Sequence, residues 1–487
     1  MTGAAAKARQ GQYDVVIVGS GFAGLCMGVR LKQAGIDNFV ILERDAAFGG
    51  TWRANHYPGC AVDIPSHLYS FSFAQNAQWT RRYARREELL AYTRQVARDF
   101  DLERHIITGA ALHSARYVEQ DHGWRLETAA GAMNARCVVA ATGSLNRPAI
   151  PPLPGLDSFA GTAFHSARWN HAADLRGKRV AVIGTGASAV QFIPEIVGQV
   201  ARLDLYQRSA PWVLPRPDRA ISALEQRLLA RSPLLQRFYR LLVYLHHESR
   251  AAWYVHAPWM LKAAQSMARR HLHAQVRDPA LRARLTPNYA LGCKRVLLMN
   301  TYYPALAQAH VNVITDPIAQ VRTHSIVSGG RVRDVDVIIF GTGFDVEQAA
   351  TPAQVQGRGG TLLSEGGKQA YKGCTVAGFP NFFLIAGPNT GLGHNSMIYM
   401  IESGAHYVLQ ALLHMRARGL QSVEVKEAAQ RRYNQQLQQR LKGTVWSSGC
   451  RSWYLDKEGR NFTLWPGFTF TYRRLTRRFD ADNYDVT

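Results

Sequence analysis

The residues best placed to do chemistry stand in two glycine-spaced runs. Gly19-Ser20-Gly21-Phe22-Ala23-Gly24 follows the apolar stretch 15–18, and Gly184-Thr185-Gly186-Ala187-Ser188-Ala189 follows the stretch 178–183. In such a run the first glycine permits a tight turn, the second lets a pyrophosphate reach the backbone, and the third small residue lets a helix pack against the strand. Backbone N–H groups at the helix start then face the phosphate charge. Glu43 closes another apolar run, 39–42, and lies 24 residues after Gly19, where a carboxylate can accept hydrogen bonds from an adenosine ribose. At the same offset from Gly184 stands Arg208, followed by Ser209. A guanidinium and a hydroxyl suit a 2′-phosphate through charge-assisted hydrogen bonds. The first turn therefore predicts FAD and the second NADPH in preference to NADH. The plainer readings are a glycine-rich turn without a ligand and, for Arg208, an ordinary surface arginine.

Other reactive side chains narrow the chemistry. The six cysteines, Cys26, Cys60, Cys137, Cys293, Cys374 and Cys450, are widely scattered, with no CxxC pair and no histidine cluster at metal-ligand spacing. Reduced thiols in a cytoplasmic protein are the expectation, and no metal site is predicted. A disulfide reductase would carry a redox-active cysteine pair after Glu43. Here Gly49-Gly50-Thr51-Trp52 is followed only by Cys60, so a thiol relay is not expected.

The elements that must position these residues read as an α/β fold: two Rossmann-like dinucleotide-binding domains, for FAD and NADPH, with a helical insertion. Stretches 138–143 and 337–344 each look like a strand ending in a Thr-Gly turn, as expected where the chain crosses between two nucleotide-binding domains. Between 221 and 284 the pattern turns helical, with leucines at 224, 228, 234, 235, 241, 242 and 245 interleaved with arginines. A peripheral membrane helix is the alternative, opposed by the breaks expected at Pro233 and Pro258. The expected boundaries are 1–145 and 351–487 for the FAD domain with a C-terminal segment, 146–220 and 291–350 for the NADPH domain, and 221–290 for the insertion. A charge-free run, 373–401, is interrupted by Pro380, Asn381, Pro388 and Asn389, which suits a buried strand and loop better than a membrane span. The first ten residues lack the apolar core of a signal peptide.

With 487 residues, 47% hydrophobic and 19% charged, the chain is neither disordered, collagen-like nor a disulfide-stapled miniprotein. Lys and Arg number 58 against 35 Asp and Glu, a net charge of +23. A solvated basic surface is the bland explanation; nucleic acid, an acidic membrane or a bound anion are sharper ones. No nucleic-acid module is recognisable and aromatic residues are not regularly interleaved with basic ones, so a nucleic-acid partner is not expected.

Three further motifs resemble those of the Baeyer-Villiger monooxygenases, a branch of the flavin-dependent monooxygenases. The run Phe159, Gly161, His165, Trp169 is similar to the family fingerprint FxGxxxHxxxW, and departs from it only at the following position, Asn170, where the family has Pro or Asp. Gly49-Gly50-Thr51-Trp52 through Tyr57-Pro58-Gly59 to Asp63 resembles GGxWxxxxYPGxxxD at every fixed position. Gly292-Cys293-Lys294-Arg295, ahead of Tyr302-Tyr303, resembles the family segment that holds a catalytic arginine. The resemblance runs over about residues 13–470. It implies conversion of a ketone and O2 to an ester or lactone through a C4a-peroxyflavin. Arg295 would stabilise the developing anions, and Asp63 would hold that guanidinium in place. Read alone, Asp63 could instead cap a helix ahead of Ile64-Pro65-Ser66.

By the same resemblance Gly50, Thr51, Trp52, Asp63 and Met397 border the flavin. Gly184, Thr185, Gly186, Ser188 and Ala189 meet the pyrophosphate of NADPH, and Lys294 joins Arg208 and Ser209 at its 2′-phosphate. His165 and Trp169 would sit in the segment linking the domains. Asn395 and Met397 are candidates to line the substrate pocket, and the aromatic tail, Trp446, Trp453, Tyr454, Trp465 and Phe468, either caps that pocket or packs. A related flavin monooxygenase that hydroxylates nitrogen or sulfur is the nearest alternative. Monomer and homo-oligomer both remain open. Residues 202–295 hold 17 basic against 5 acidic residues, more than half of the whole surplus.

Overall fold

The computed structural model describes residues 11–346, 353–365, 368–450 and 452–487. The chain opens with strand β1 (Gln12–Val18), helix α1 (Phe22–Gln33) and strand β2 (Phe39–Leu42). Val15 to Val18 and all of β2 are buried, the continuous apolar signature of strands covered on both faces. Helix α2 (Arg86–Asp99) and strands β3 (Ile106–Ile107), β4 (Leu112–Val118), β5 (Gly123–Thr128) and β6 (Gly131–Ala140) complete the first pass. β1 pairs in parallel with β2 on one side and β6 on the other, while β4, β5 and β6 form an antiparallel meander.

A second sheet begins with β7 (Thr162–His165), β8 (Arg179–Ile183), helix α3 (Ala187–Ile196) and β9 (Arg202–Tyr206). It is completed by β10 (Val311–Ile314) and β11 (Val337–Phe340), in the order β10-β9-β8-β11-β7, all parallel. Between β9 and β10 lie the helices of the insertion, α4 (Ala223–Arg231), α5 (Pro233–Glu248) and α6 (Leu261–Gln275). The chain then returns to the first sheet, with β12 (Gln354–Gln356) beside β4 and β13 (Phe382–Leu384) beside the end of β6, giving eight strands. Helix α7 (Met397–Arg418) packs on α1, and the short α8 (Thr469–Leu475) packs on α7.

Pro233 breaks the helical run as expected: α4 ends at Arg231, Ser232 is extended, and Pro233 opens α5, where its missing N–H costs nothing and Ser232 caps the helix by accepting from Leu235 N. Two other readings need correction. Asp63 caps no helix, since none begins at 64–66. Nor are all the cysteines reduced: Cys293 and Cys450, 157 residues apart, form a disulfide with Cα atoms 6.3 Å apart. Chain spacing gave no sign of that proximity, because the fold alone brings the two segments together. The remaining four thiols are free and buried.

Candidate active site

The two glycine turns are built alike. Each returning strand ends against the first glycine, so that a Cβ on Gly19 would lie 2.6 Å from the Ala141 carbonyl oxygen, and one on Gly184 2.5 Å from that of Gly341. Both glycines have φ near +100°, at 106° and 101°. Glu43, at the end of β2, is buried, with Oε2 accepting from the Ser20 hydroxyl and Oε1 from Asp45 N at 3.0 Å. A carboxylate has about four acceptor sites, which leaves capacity for ribose hydroxyls.

Beside the second turn, Thr185 donates to the Ser209 carbonyl at 3.1 Å, and Lys294 Nζ donates to Ser209 Oγ at 2.9 Å. Burial, with the neighbouring Arg208 guanidinium, holds the Lys294 ammonium below its ordinary range. Neither cation has a carboxylate partner among the described residues. Lys294, 85 residues beyond Ser209 in the chain, thus forms with Arg208 and Ser209 one cationic corner suited to a dianion.

A cavity of about 1230 Å³ lies between the two units. Thr51, Trp52, Asp63, Ser188, Arg295, Asn395 and Met397 line it; the glycines of the two turns, Arg208, Ser209 and Lys294 lie outside its lining. Arg295 donates through Nε (2.8 Å) and Nη2 to Asp63 Oδ2, and the carboxylate's charge raises the guanidinium further above its already high range. Both side chains are half-buried, which keeps a permanent cation at the cavity wall. Gly50, with φ +56°, sits against the first turn, and a Cβ there would come within 2.6 Å of the Gly21 Cα. That contact puts the single helical turn Thr51–Ala54 at the cavity edge, with Trp52 buried edge-on to Tyr69.

The other expected residues sort clearly. Met397 is half-buried at the start of α7. Asn395 lines the cavity, but its polar atoms are engaged: Nδ2 donates to Glu248 Oε2 at 2.5 Å and Oδ1 accepts from Ser396 N. Trp453 reaches the cavity, whereas Trp446, Tyr454 and Trp465 are buried in a separate core and Phe468 stacks on His256. Phe159, Gly161, His165 and Trp169 do not touch the cavity. His165 ends β7, accepts from Ala167 N at 3.1 Å and is pushed by burial down to about 4. Trp169 packs on Phe164 and on Phe192 of α3. Asn170, the departure from the fingerprint, accepts from Ala172 N at 3.0 Å, a turn contact that an aspartate could also make.

Two residues went unnoticed in the sequence. Gln191 of α3 accepts from the Tyr57 hydroxyl at 2.9 Å and exchanges bonds with the Ala61 backbone, so it fastens the Tyr57-Pro58-Gly59 segment to the second unit. Gly59 is required by the same approach: a Cβ there would lie 2.8 Å from the Gln191 carbonyl. Glu248, buried at the end of α5, joins Asn395 to Thr469, whose hydroxyl donates to it at 2.8 Å. Neither residue belongs to a local motif, and the nearest signal was the Tyr-Pro-Gly run itself.

Two dinucleotide turns flanking a cavity that carries a fixed cation define an oxidoreductase of the two-nucleotide class. A family profile described as pyridine nucleotide-disulphide oxidoreductase matches residues 16–232. A Baeyer-Villiger monooxygenase of Pseudomonas aeruginosa is 51% identical over 480 residues, covering 97% of this chain and 91% of its own. One of Streptomyces coelicolor is 46% identical, covering 97% and 92%. Among solved structures, an oxidized steroid monooxygenase bound to NADP superposes with a TM-score of 0.86 at 29% identity, over 98% of this chain and 99% of that one. The chain belongs to the Baeyer-Villiger monooxygenase family.

Proposed function

We propose that this protein is an FAD-dependent, NADPH-consuming Baeyer-Villiger monooxygenase that inserts one oxygen atom of O2 beside a ketone carbonyl. The observation that carries this reading is the Arg295–Asp63 pair at the wall of a cavity between two dinucleotide turns. The residues fit the two cofactors. The close approaches at Gly19, Gly50 and Gly184 hold each turn tight against neighbouring backbone at a helix start, whose N–H groups suit a pyrophosphate, and the cavity exceeds the usual small-ligand range of about 300–1,000 Å³. The sheet built around β1 with the C-terminal strands would hold FAD; the sheet built around β8 would hold NADPH, and residues 221–290 form an insertion in it.

Bound FAD, reduced by NADPH, supplies the oxygen-transfer chemistry. Gly19 and Gly21 would take its pyrophosphate at the start of α1, with Gly24 packing that helix on its strand, Glu43 would take the ribose, and Gly50, Thr51, Trp52 and Met397 would border its ring. Gly184, Thr185, Gly186, Ser188 and Ala189 would receive the NADPH pyrophosphate at the start of α3, while Arg208, Ser209 and Lys294 would hold the 2′-phosphate. Arg295 keeps a positive charge where negative charge develops on oxygen, and Asp63 fixes its orientation through hydrogen bonds to the guanidinium. Because an arginine stays protonated at all working pH values, the stabilisation needs no proton transfer at that atom. His165 and Trp169 act through packing, the tryptophan bearing on α3.

The test is Arg295→Ala, assayed with a panel of ketones and sulfides and with product analysis. Loss of ester or lactone with survival of flavin reduction by NADPH is expected. Retained ketone oxygenation in that variant would remove Arg295 from its role, and sulfoxide or N-oxide as the wild-type protein's only product would favour the hydroxylating alternative.

A further inference from the structure

Helix α5 is turned inside out. The side facing the protein is polar: Gln236 is buried, Arg240 donates to the His67 carbonyl at 2.6 Å and to Ser70 Oγ, Tyr244 bonds the Thr469 hydroxyl, and Glu248 binds Asn395 and Thr469. The side facing outward is apolar: Leu234 is 75% exposed, Phe238 57% and Leu245 52%, with Leu241 and Leu242 between them. These residues recur at helical spacing on one stripe. On the adjoining α4, Leu224 is 66% exposed and Leu228 lies one turn further on. Single exposed leucines need no explanation, but a contiguous apolar helix face on a soluble surface does.

The exposed charges on α4 and α5 themselves are all of one sign: Arg227, Arg231 and Arg237. The only acidic residues between 223 and 275 are Glu225, engaged by Arg219, and the buried Glu248. A second copy of the chain meeting this face through a two-fold axis would bring cations against cations. An anionic bilayer offers acyl chains to the leucines and phosphates to the arginines, whose long stems reach the headgroups from a helix lying in the interface.

We propose that the outward face of α4 and α5 docks the protein peripherally on an anionic lipid bilayer. No helix among the described residues is long and apolar enough to cross a membrane, so the attachment is to the surface. It is independent of the oxygenation reaction.

Flotation of the FAD-loaded protein with vesicles of phosphatidylcholine, with and without phosphatidylglycerol, tests this. The wild type should float with the anionic vesicles and not with the neutral ones. Replacing the stripe by Leu234→Ser, Phe238→Ser and Leu242→Ser should abolish flotation, and Arg227→Gln, Arg231→Gln and Arg237→Gln together should weaken it roughly a hundredfold. Both variants should keep wild-type NADPH oxidation and circular dichroism, because all six side chains are exposed. Three results would overturn the proposal: no flotation with anionic vesicles, equal flotation with neutral ones, or a solution dimer that the leucine variant splits, which would assign the face to a second copy.

Discussion

At the scale of single residues, the site divides into groups that carry charge and groups that hold them. Lys294 belongs to the first kind. Its ammonium and the Arg208 guanidinium lie together without a carboxylate, so a bound 2′-phosphate relieves a repulsion already present in the protein. Lys294→Ala should raise KM for NADPH by roughly 10–100-fold, as loss of a charged hydrogen bond worth about 1.5–3 kcal/mol requires, while leaving KM for NADH almost unchanged. Steady-state kinetics with the two nucleotides decides this. The pH dependence has a definite sign: only the protonated amine attracts phosphate, and its affinity for protons is depressed, so NADPH binding should weaken on the alkaline side earlier than an ordinary lysine near 10.4 would dictate. These residues were legible because they lie within or beside contiguous motifs. Gln191 and Glu248 were not, since their partners lie 134 and 147 positions away and a single glutamine or glutamate has no pattern of its own.

At the scale of elements, the strand-turn-helix units were readable because glycine spacing and apolar runs are local, and both appear where expected. Helix α5 shows what periodicity leaves undetermined. Its leucine stripe reveals a helix but not which way the stripe points, and only the hydrogen bonds of Arg240, Tyr244 and Glu248 fix the polar side inward. The Gly50 contact with the first turn carries a sharper test. Gly50→Ala puts a methyl group 2.6 Å from backbone in a left-handed conformation that alanine resists, a strain of about 1–3 kcal/mol. Purified variant should retain less FAD, with affinity lower by roughly 5–100-fold, read from the flavin absorbance after gel filtration and from titration of apoprotein. The disulfide has its own check. Alkylation of unfolded, unreduced protein should label the four free cysteines and leave Cys293 and Cys450 unmodified, linking the segment before Arg295 to the one before Trp453.

At the scale of the whole molecule, buried histidines set the acid limit of stability. Burial pushes His67, His165 and His394 down to about 4 and His247 to about 3. In the unfolded chain each titrates near 6.5, so between about 6.5 and 4 the unfolded state binds more protons and the folded state loses ground as pH falls. Urea midpoints measured across that range should fall steeply with acidification, and replacing His394 by an apolar residue of similar size should flatten the slope.

The surplus of positive charge also governs how these molecules treat one another. A chain at +23 with a sticky helix face would coalesce if it were neutral, yet like-charged particles keep their distance over roughly 8–10 Å at moderate ionic strength. The arginines that fringe α4 and α5 therefore act as a colloidal stabiliser: they space the leucine stripes of neighbouring molecules apart in dilute buffer, and concentrated salt withdraws that spacing.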